Sequence, residues 1–236
     1  EDWTRTAQWT SSNPAIARVD QTGLVTPVAD GTATITASAS GRTASAAIHV
    51  EGVKAPFTPS FRNDVIPVLT KMGCNSGACH GALAGKNGFK LSLRGYDPRF
   101  DYESLLYDLN GRRFNRADPG RSLMLAKPTQ QVAHGGGLRF EPNSRYYKTI
   151  FDWIAAGVPF GDPQKDSVAS IDVEPKQIFM KSPGEAASVR VSAHFGDGES
   201  RDVTADSMVE SNVPDVAAVT NADVKGARVG EAALLV

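Results

Sequence analysis

The sequence predicts a multidomain chain of 236 residues in which an all-α segment, residues 55–163, lies between two partial β-sandwich modules, residues 1–52 and 171–236. Three observations predict it. The two ends of the chain repeat one another, the repeated parts are rich in short Val/Ile/Thr alternations, and the middle begins and ends in helical periodicity. An apolar content of 41% supports folded cores throughout.

The first module is defined by the repeat. Residues 202–219, "DVTADSMVESNVPDVAAV", align without gaps under residues 2–19, "DWTRTAQWTSSNPAIARV", at an offset of 200. Asp2/Asp202, Thr4/Thr204, Ser11/Ser211, Pro14/Pro214, Ala17/Ala217 and Val19/Val219 are identical, and Ile16 faces Val216. After one deletion, "GTATI" from Gly31 aligns with "GEAAL" from Gly230. Alternations such as "TATITASAS" and "ASVRVSAHF", separated by "TG", "DG" and "GDG", read as short strands joined by turns, the pattern of a sandwich. "WTSSNPAIARVDQTGLVTPVADGTATITA" resembles the group 2 bacterial immunoglobulin-like module, which implies a bacterial surface or periplasmic setting. The first copy lacks the counterpart of residues 171–201, and the second stops near "EAALLV". A sandwich without those strands would leave open edges. The expectation is therefore a piece of a longer tandem protein, with mutual completion of the two sheets as the less favoured reading.

The middle segment is bounded by "KAPFTPS" and "GDPQKDS". "PSFRNDVIPVLTKMG" places Phe61, Val65, Val68, Leu69 and Met72 on one helical face, with Pro67 as a local complication, and stops at a glycine. "PNSRYYKTIFDWIAAG" puts Tyr146, Tyr147, Ile150, Trp153 and Ile154 in helical register and also ends at glycine. Two helices thus enclose a long, loop-rich stretch, with Trp153 expected to pack between helices.

That stretch holds the only two cysteines, in "GCNSGACHGALAGKNG". A Cys-x-x-Cys-His sequence joins two thiols to haem vinyl groups while the histidine ligates iron. Here the spacing is Cys74-x4-Cys79-His80. The second cysteine stays next to the histidine, and the added residues, "NSGA", are small and include Gly77, so the loop between the sulfurs can bulge. Two bland readings stand beside this one. A Cys74–Cys79 disulfide would close a short loop and contribute about 2 kcal/mol, and a zinc site would need four ligands although the other histidines are scattered.

"CNSGACHG", "ADPGRSLMLAKPT", "HGGGLRF" and "YKTIFDWIAAGVP" resemble the planctomycete cytochrome C-like domains, a variant with CX4CH spacing. The resemblance implies a class I-like cytochrome c fold for residues 55–163 and one covalently bound haem c per chain. Cys74 and Cys79 would be its thioether anchors and His80 the proximal iron ligand. It also implies a large exported protein in which Ig-like modules accompany the cytochrome domain. The four-residue spacer departs from standard cytochromes.

His134 in "VAHGGGLRF" is the expected distal iron ligand, with Met124 in "SLMLAKP" as the alternative and an open site as a third outcome. Each has a bland reading. Met124 can simply fill core, and the glycines after His134 can make a turn as readily as admit a flat cofactor. His49 and His194 sit in strand patterns and read as structural. Haem propionates need pairing or solvation, and Arg139 is the candidate contact, whereas Arg112, Arg113 and Arg116 read as surface arginines.

Net charge is -1, with 14 Lys/Arg against 9 Asp/Glu in residues 55–163 and 7 against 12 in residues 164–236. No global field draws the chain to nucleic acid or membrane, and no apolar run is long enough to span a bilayer. Residues 1–10, "EDWTRTAQWT", have no signal-peptide character. No Ser/His/Asp constellation or phosphate-binding glycine loop appears in the sequence. The expected function is one-electron transfer by a monohaem domain, not enzymatic catalysis, with a redox partner protein or a neighbouring domain of the parent protein as partner and a periplasmic or cell-surface location. The alternatives are a five-coordinate gas sensor or peroxidase-like site, and an adhesive or structural Ig-like array without haem.

Overall fold

The computed structural model describes residues 3, 6–54 and 57–236. Asp2 and Thr4 of the repeat, and Ala55 at the head of the middle segment, lie outside the described residues. The chain divides into two compact units, residues 1–57 and 58–236.

In the first unit the alternation of apolar and polar residues becomes five strands: β1 (Gln8–Ser11), β2 (Ala17–Val19), β3 (Val25–Pro27), β4 (Gly31–Ala39) and β5 (Arg42–Val50). Strand β4 is central in an antiparallel sheet of order β1-β4-β5, while β2 and β3 pair separately. Alternate β4 residues Ala33 and Ile35 point inward, where they join Ala17 and Val50 in a small core. The Asp20 carboxylate organises the β2–β3 turn by accepting from the amides of Thr22 and Leu24.

The second unit opens with a π-helical turn, Phe61–Val65, that runs into α1 (Ile66–Lys71). Pro67 explains the irregular start, since it brings no amide to the helical ladder and is tolerated only in the first turn. The further helices are α2 (Pro98–Leu106), α3 (Leu123–Ala126) and α4 (Arg145–Ala155). Helix α4 is capped by Ser144, whose hydroxyl accepts from the Tyr147 amide, and it ends before Gly157, which has φ +89°. Its apolar face buries Ile150, Trp153 and Ile154 against Phe61, Val65 and Leu105. The Trp153 ring lies 5.4 Å from Phe61, and its indole N–H donates to the Pro159 carbonyl at 2.8 Å.

The chain then turns to β-structure: β6 (Val168–Glu174), β7 (Ala186–Ser188), β8 (Arg190–Phe195), β9 (Ser200–Asp202), β10 (Glu210–Ser211), β11 (Ala217–Thr220), β12 (Asp223–Gly226) and β13 (Leu234–Leu235). These form sheets β6-β8-β9 and β11-β12-β7 and the pair β10-β13. The sequence repeat reappears as repeated hydrogen bonding. Ser11 Oγ accepts from the Asn13 amide at 3.2 Å, and Ser211 Oγ accepts from the Val213 amide at 3.2 Å. The Val28 amide donates to the Ile16 carbonyl and the Ala227 amide to the Val216 carbonyl, each at 2.8 Å. Gly31 and Gly230 occupy equivalent places, since a Cβ would lie 2.7 Å from Ile16 in one and 2.9 Å from Val216 in the other.

Within this unit the β-rich part is tied to the helices by polar contacts. Arg145 bonds the Ala205 carbonyl and the Asp206 carboxylate, both at 2.7 Å, Arg94 reaches Glu210 at 3.2 Å, and the Lys71 ammonium donates to the Ser207 carbonyl.

The expectation of an all-α class I-like cytochrome c fold between the two modules is corrected. Among the described residues strands outnumber helices, and the four α-helices contain only 6, 9, 4 and 11 residues. Turns and loops carry most of residues 73–97 and 107–144. The physical reason lies in the sequence between the two periodic stretches. Glycines at 73, 85, 88, 95, 111 and 137 adopt positive φ, a conformation that ends helices, and apolar runs there are too short to propagate one.

Candidate functional site

The motif loop leaves α1 at Gly73, whose φ of +71° turns the chain. Four amide bonds then fix its course: Cys74 N–H to Leu69 O at 2.8 Å, Cys79 N–H to Ser76 O at 3.0 Å, His80 N–H to Cys74 O at 2.9 Å and Gly81 N–H to Ser76 O at 3.0 Å. Closure of His80 on Cys74 spans the extra residues, and Gly77 and Ala78 bulge out, exposed. Gly81 is required by close approach, for a Cβ there would lie 2.1 Å from the Asn75 carbonyl oxygen. Beneath the loop, buried Asn75 donates to Thr70 Oγ1 at 2.8 Å. Both cysteines are free thiols.

His80 Nδ1 lies 3.1 Å from the Phe89 carbonyl. A carbonyl only accepts, so Nδ1 carries the proton and the Nε2 lone pair is left for a ligand. The same Phe89 packs its ring 4.4 Å from the imidazole, and the Arg113 guanidinium covers the other part of this stack, 4.1 Å from the Phe89 centroid. Arg113 departs from its surface reading: it is buried and donates to the carbonyls of Ser104 and Asp108.

The structure brings His134, rather than Met124, against His80. The two imidazole centroids are 6.5 Å apart with planes 12° from parallel. His134 repeats the arrangement of its partner, with Nδ1 2.9 Å from the Gly137 carbonyl and Nε2 spared. Gly136 leaves open the space beside that nitrogen, because a Cβ there would lie 2.9 Å from His134 Cε1 and 3.2 Å from Nε2. Met124 instead belongs to the apolar core with Leu125 and Phe140. Arg139, from the same loop as His134, directs its guanidinium at Cys79 Sγ, 3.3 Å, and the Met72 carbonyl, 3.4 Å.

The electrostatics follow from this packing. Burial holds His80 below the ordinary imidazole range; the bond to the Phe89 carbonyl opposes this, and neighbouring His134, Arg113 and Arg139 reinforce it. Burial pushes the Cys74 thiol up to about 11 against the opposing pull of Arg139. His80 is therefore a neutral imidazole at pH 7, the form that ligates metals.

Among the described residues, no group of three or more His, Cys, Asp or Glu side chains is gathered closely enough to hold a metal ion by itself. Two imidazoles sharing one metal ion, each nitrogen about 2 Å away, have ring centroids about 6 Å apart. The His80–His134 spacing fits that figure. The spacing fits an iron whose remaining ligands would come from a tetrapyrrole; Cys79 directly precedes His80, whereas Cys74 packs against the apolar core.

Sequence reasoning missed Phe89 and Gly81, and read Arg113 as a surface arginine although it is buried. The Lys86–Phe89 bridge, closed by the "NG" of "KNGF", was the signal that could have placed Phe89 beside the motif.

Among the described residues no helix is long and apolar enough to cross a membrane. His49 and His194 lie on strands β5 and β8, and His194 links Asp172, at 2.9 Å, to Ser200, at 2.7 Å, on the exposed side of its sheet. No curated protein matches the chain. Residues 2–50 match the bacterial Ig-like domain (group 2) family, whose domains are typical of exported or surface proteins.

Proposed function

We propose that residues 58–163 bind one haem covalently through Cys74 and Cys79 and pass single electrons, with His80 and His134 as the two axial ligands. The observation that carries this reading is the pair of near-parallel imidazoles, 6.5 Å apart, each held by Nδ1 on a backbone carbonyl with Nε2 spared. The resemblance of "CNSGACHG" and "HGGGLRF" to cytochrome C-like domains supports the same assignment.

Haem supplies an iron that cycles between two oxidation states; the protein's part is to hold and shield it. His80 is oriented by the Phe89 carbonyl and steadied by the Phe89 and Arg113 stack, so its nitrogen needs no reorganisation between states. His134 would hold the iron together with His80, and with both imidazoles bound a small gas or peroxide would find no position there. Its backbone anchor at Gly137 sits within the same tight turn, which limits how far the imidazole can withdraw. Two imidazoles favour a lower potential than one imidazole with a thioether.

The Ig-like unit is a spacer or docking element of a larger exported protein, located in the periplasm or at the cell surface, and the redox partner is a separate protein or a neighbouring domain. Expression with a haem-attachment system, followed by denaturation and solvent extraction, tests the reading. Haem that stays with wild-type chain and is lost from a Cys74→Ala/Cys79→Ala variant supports it. Haem that extracts from the wild type refutes it.

A further inference from the structure

We infer that Arg139 is a positioning residue for covalent attachment at Cys79: reaching across from the loop that carries His134, it aims the Cys79 sulfur into the cleft between the two histidines. The inference rests on the haem reading of residues 58–163 and goes beyond it by giving one side chain a part in assembling the site. Three contacts fix the arginine. Its amide donates to the Pro128 carbonyl at 2.7 Å, Nη1 donates to the Met72 carbonyl at 3.4 Å, and Nη2 points at Cys79 Sγ at 3.3 Å.

Gly136 makes room for this reach, since a Cβ there would come within 3.1 Å of Nη2 and 3.2 Å of His134 Nε2. The guanidinium, the Cys79 sulfur and the spared nitrogen of His134 therefore border one small space. Cys79 follows the exposed Gly77 and Ala78 of the bulge and is itself part-buried, with its sulfur accepting from Arg139. A planar, always charged donor with two N–H groups on separate partners can fix a sulfur and the end of α1 together, which a single-point ammonium cannot do equally well.

Attachment adds the thiol across a haem vinyl group. The sulfur bonds to one vinyl carbon, the C=C π bond is lost, and the thiol proton ends on the other vinyl carbon, so nothing is oxidised or reduced. The geometry of the sulfur relative to the ring is then the quantity the protein controls, and orientation of this kind governs such encounters. Arg139 hydrogen-bonds Cys79 and reaches Cys74 only through its charge, so its loss should affect the Cys79 thioether more than the Cys74 one.

The test counts free thiols in the haem-matured, unfolded protein by alkylation with iodoacetamide and peptide mass analysis, comparing wild type, Arg139→Gln and Arg139→Lys. Loss of one hydrogen bond predicts about a fivefold rise in alkylated Cys79 in Arg139→Gln. Cys74 stays fully coupled and Arg139→Lys falls in between. Equal coupling of Cys79 in wild type and Arg139→Gln overturns the inference, as does equal release of both cysteines, which would mean that Arg139 merely supports the fold. If wild type itself keeps no haem after unfolding, the haem reading fails and this inference falls with it.

Discussion

His80 and His134 face each other with ring centroids 6.5 Å apart and planes 12° from parallel, although 53 residues separate them in sequence. Each spends its Nδ1 on a carbonyl, Phe89 for one and Gly137 for the other. Under the proposed reading both spared nitrogens hold one iron, so loss of either imidazole should change how that iron is held.

Replacing the candidate distal residues should separate their roles. His134→Ala is expected to convert the reduced protein from a low-spin spectrum to one that shifts on adding carbon monoxide. Met124→Ala should leave the spectrum unchanged and cost about 2–4 kcal/mol in a denaturant melt, since Met124 is core.

The glycines after His134 provide a paired steric test. Gly136→Ala places a Cβ 2.9 Å from His134 Cε1 and 3.1 Å from Arg139 Nη2, and haem occupancy should fall severalfold. At Gly135 a Cβ meets nothing within 4 Å, so Gly135→Ala should bind haem as wild type and change stability by less than about 0.5 kcal/mol. The check is the haem-to-protein absorbance ratio of purified holoprotein.

Gly81→Ala should be the most damaging substitution in the motif loop. Its Cβ would lie 2.1 Å from the Asn75 carbonyl oxygen and 2.9 Å from that of Ser76, both backbone atoms that cannot rotate away. A loss of about 1–3 kcal/mol by urea unfolding is expected, together with reduced haem attachment, because the loop must shift under His80.

Asp64 gives a pH dependence whose sign is fixed. Burial raises its carboxyl above the ordinary value of 3.8; the amide of Ser60 and nearby Arg201 oppose this, and Asp166 and Asp206 add to it. The folded state therefore binds this proton more tightly than the unfolded chain. The stability it contributes is complete below 3.8 and is lost as pH rises through the raised value. Asp64→Asn should remove that component, so wild type should gain on the variant as pH is lowered from 7 toward 4 in parallel urea melts. Parallel curves would contradict the assignment.

How much of this was legible in the sequence depends on the range of the interactions. The repeat between the two ends was readable because strand alternation and turns are local, and Ile16/Gly31 and Val216/Gly230 repeat both in sequence and in contact. The loop that holds Cys74, Cys79 and His80 was readable as a loop because its residues are small and glycine-rich, and the haem chemistry read from its spacing stands as a proposal. The all-α expectation for residues 55–163 failed because two helical ends were extended across a stretch whose glycines take positive φ and whose loops are fastened by side chains such as Asp101, which accepts from the amide and hydroxyl of Ser92. The sequence favoured His134 over Met124 as the neighbour of His80, whereas the burial of Arg113 and the reach of Arg139 to Cys79 were illegible, since each depends on loops meeting in space.

The most direct measurement is the visible spectrum of the reduced, haem-matured chain before and after adding carbon monoxide. The account predicts sharp c-type bands that do not move, because His80 and His134 hold both axial positions. A Soret band that shifts with carbon monoxide would contradict it.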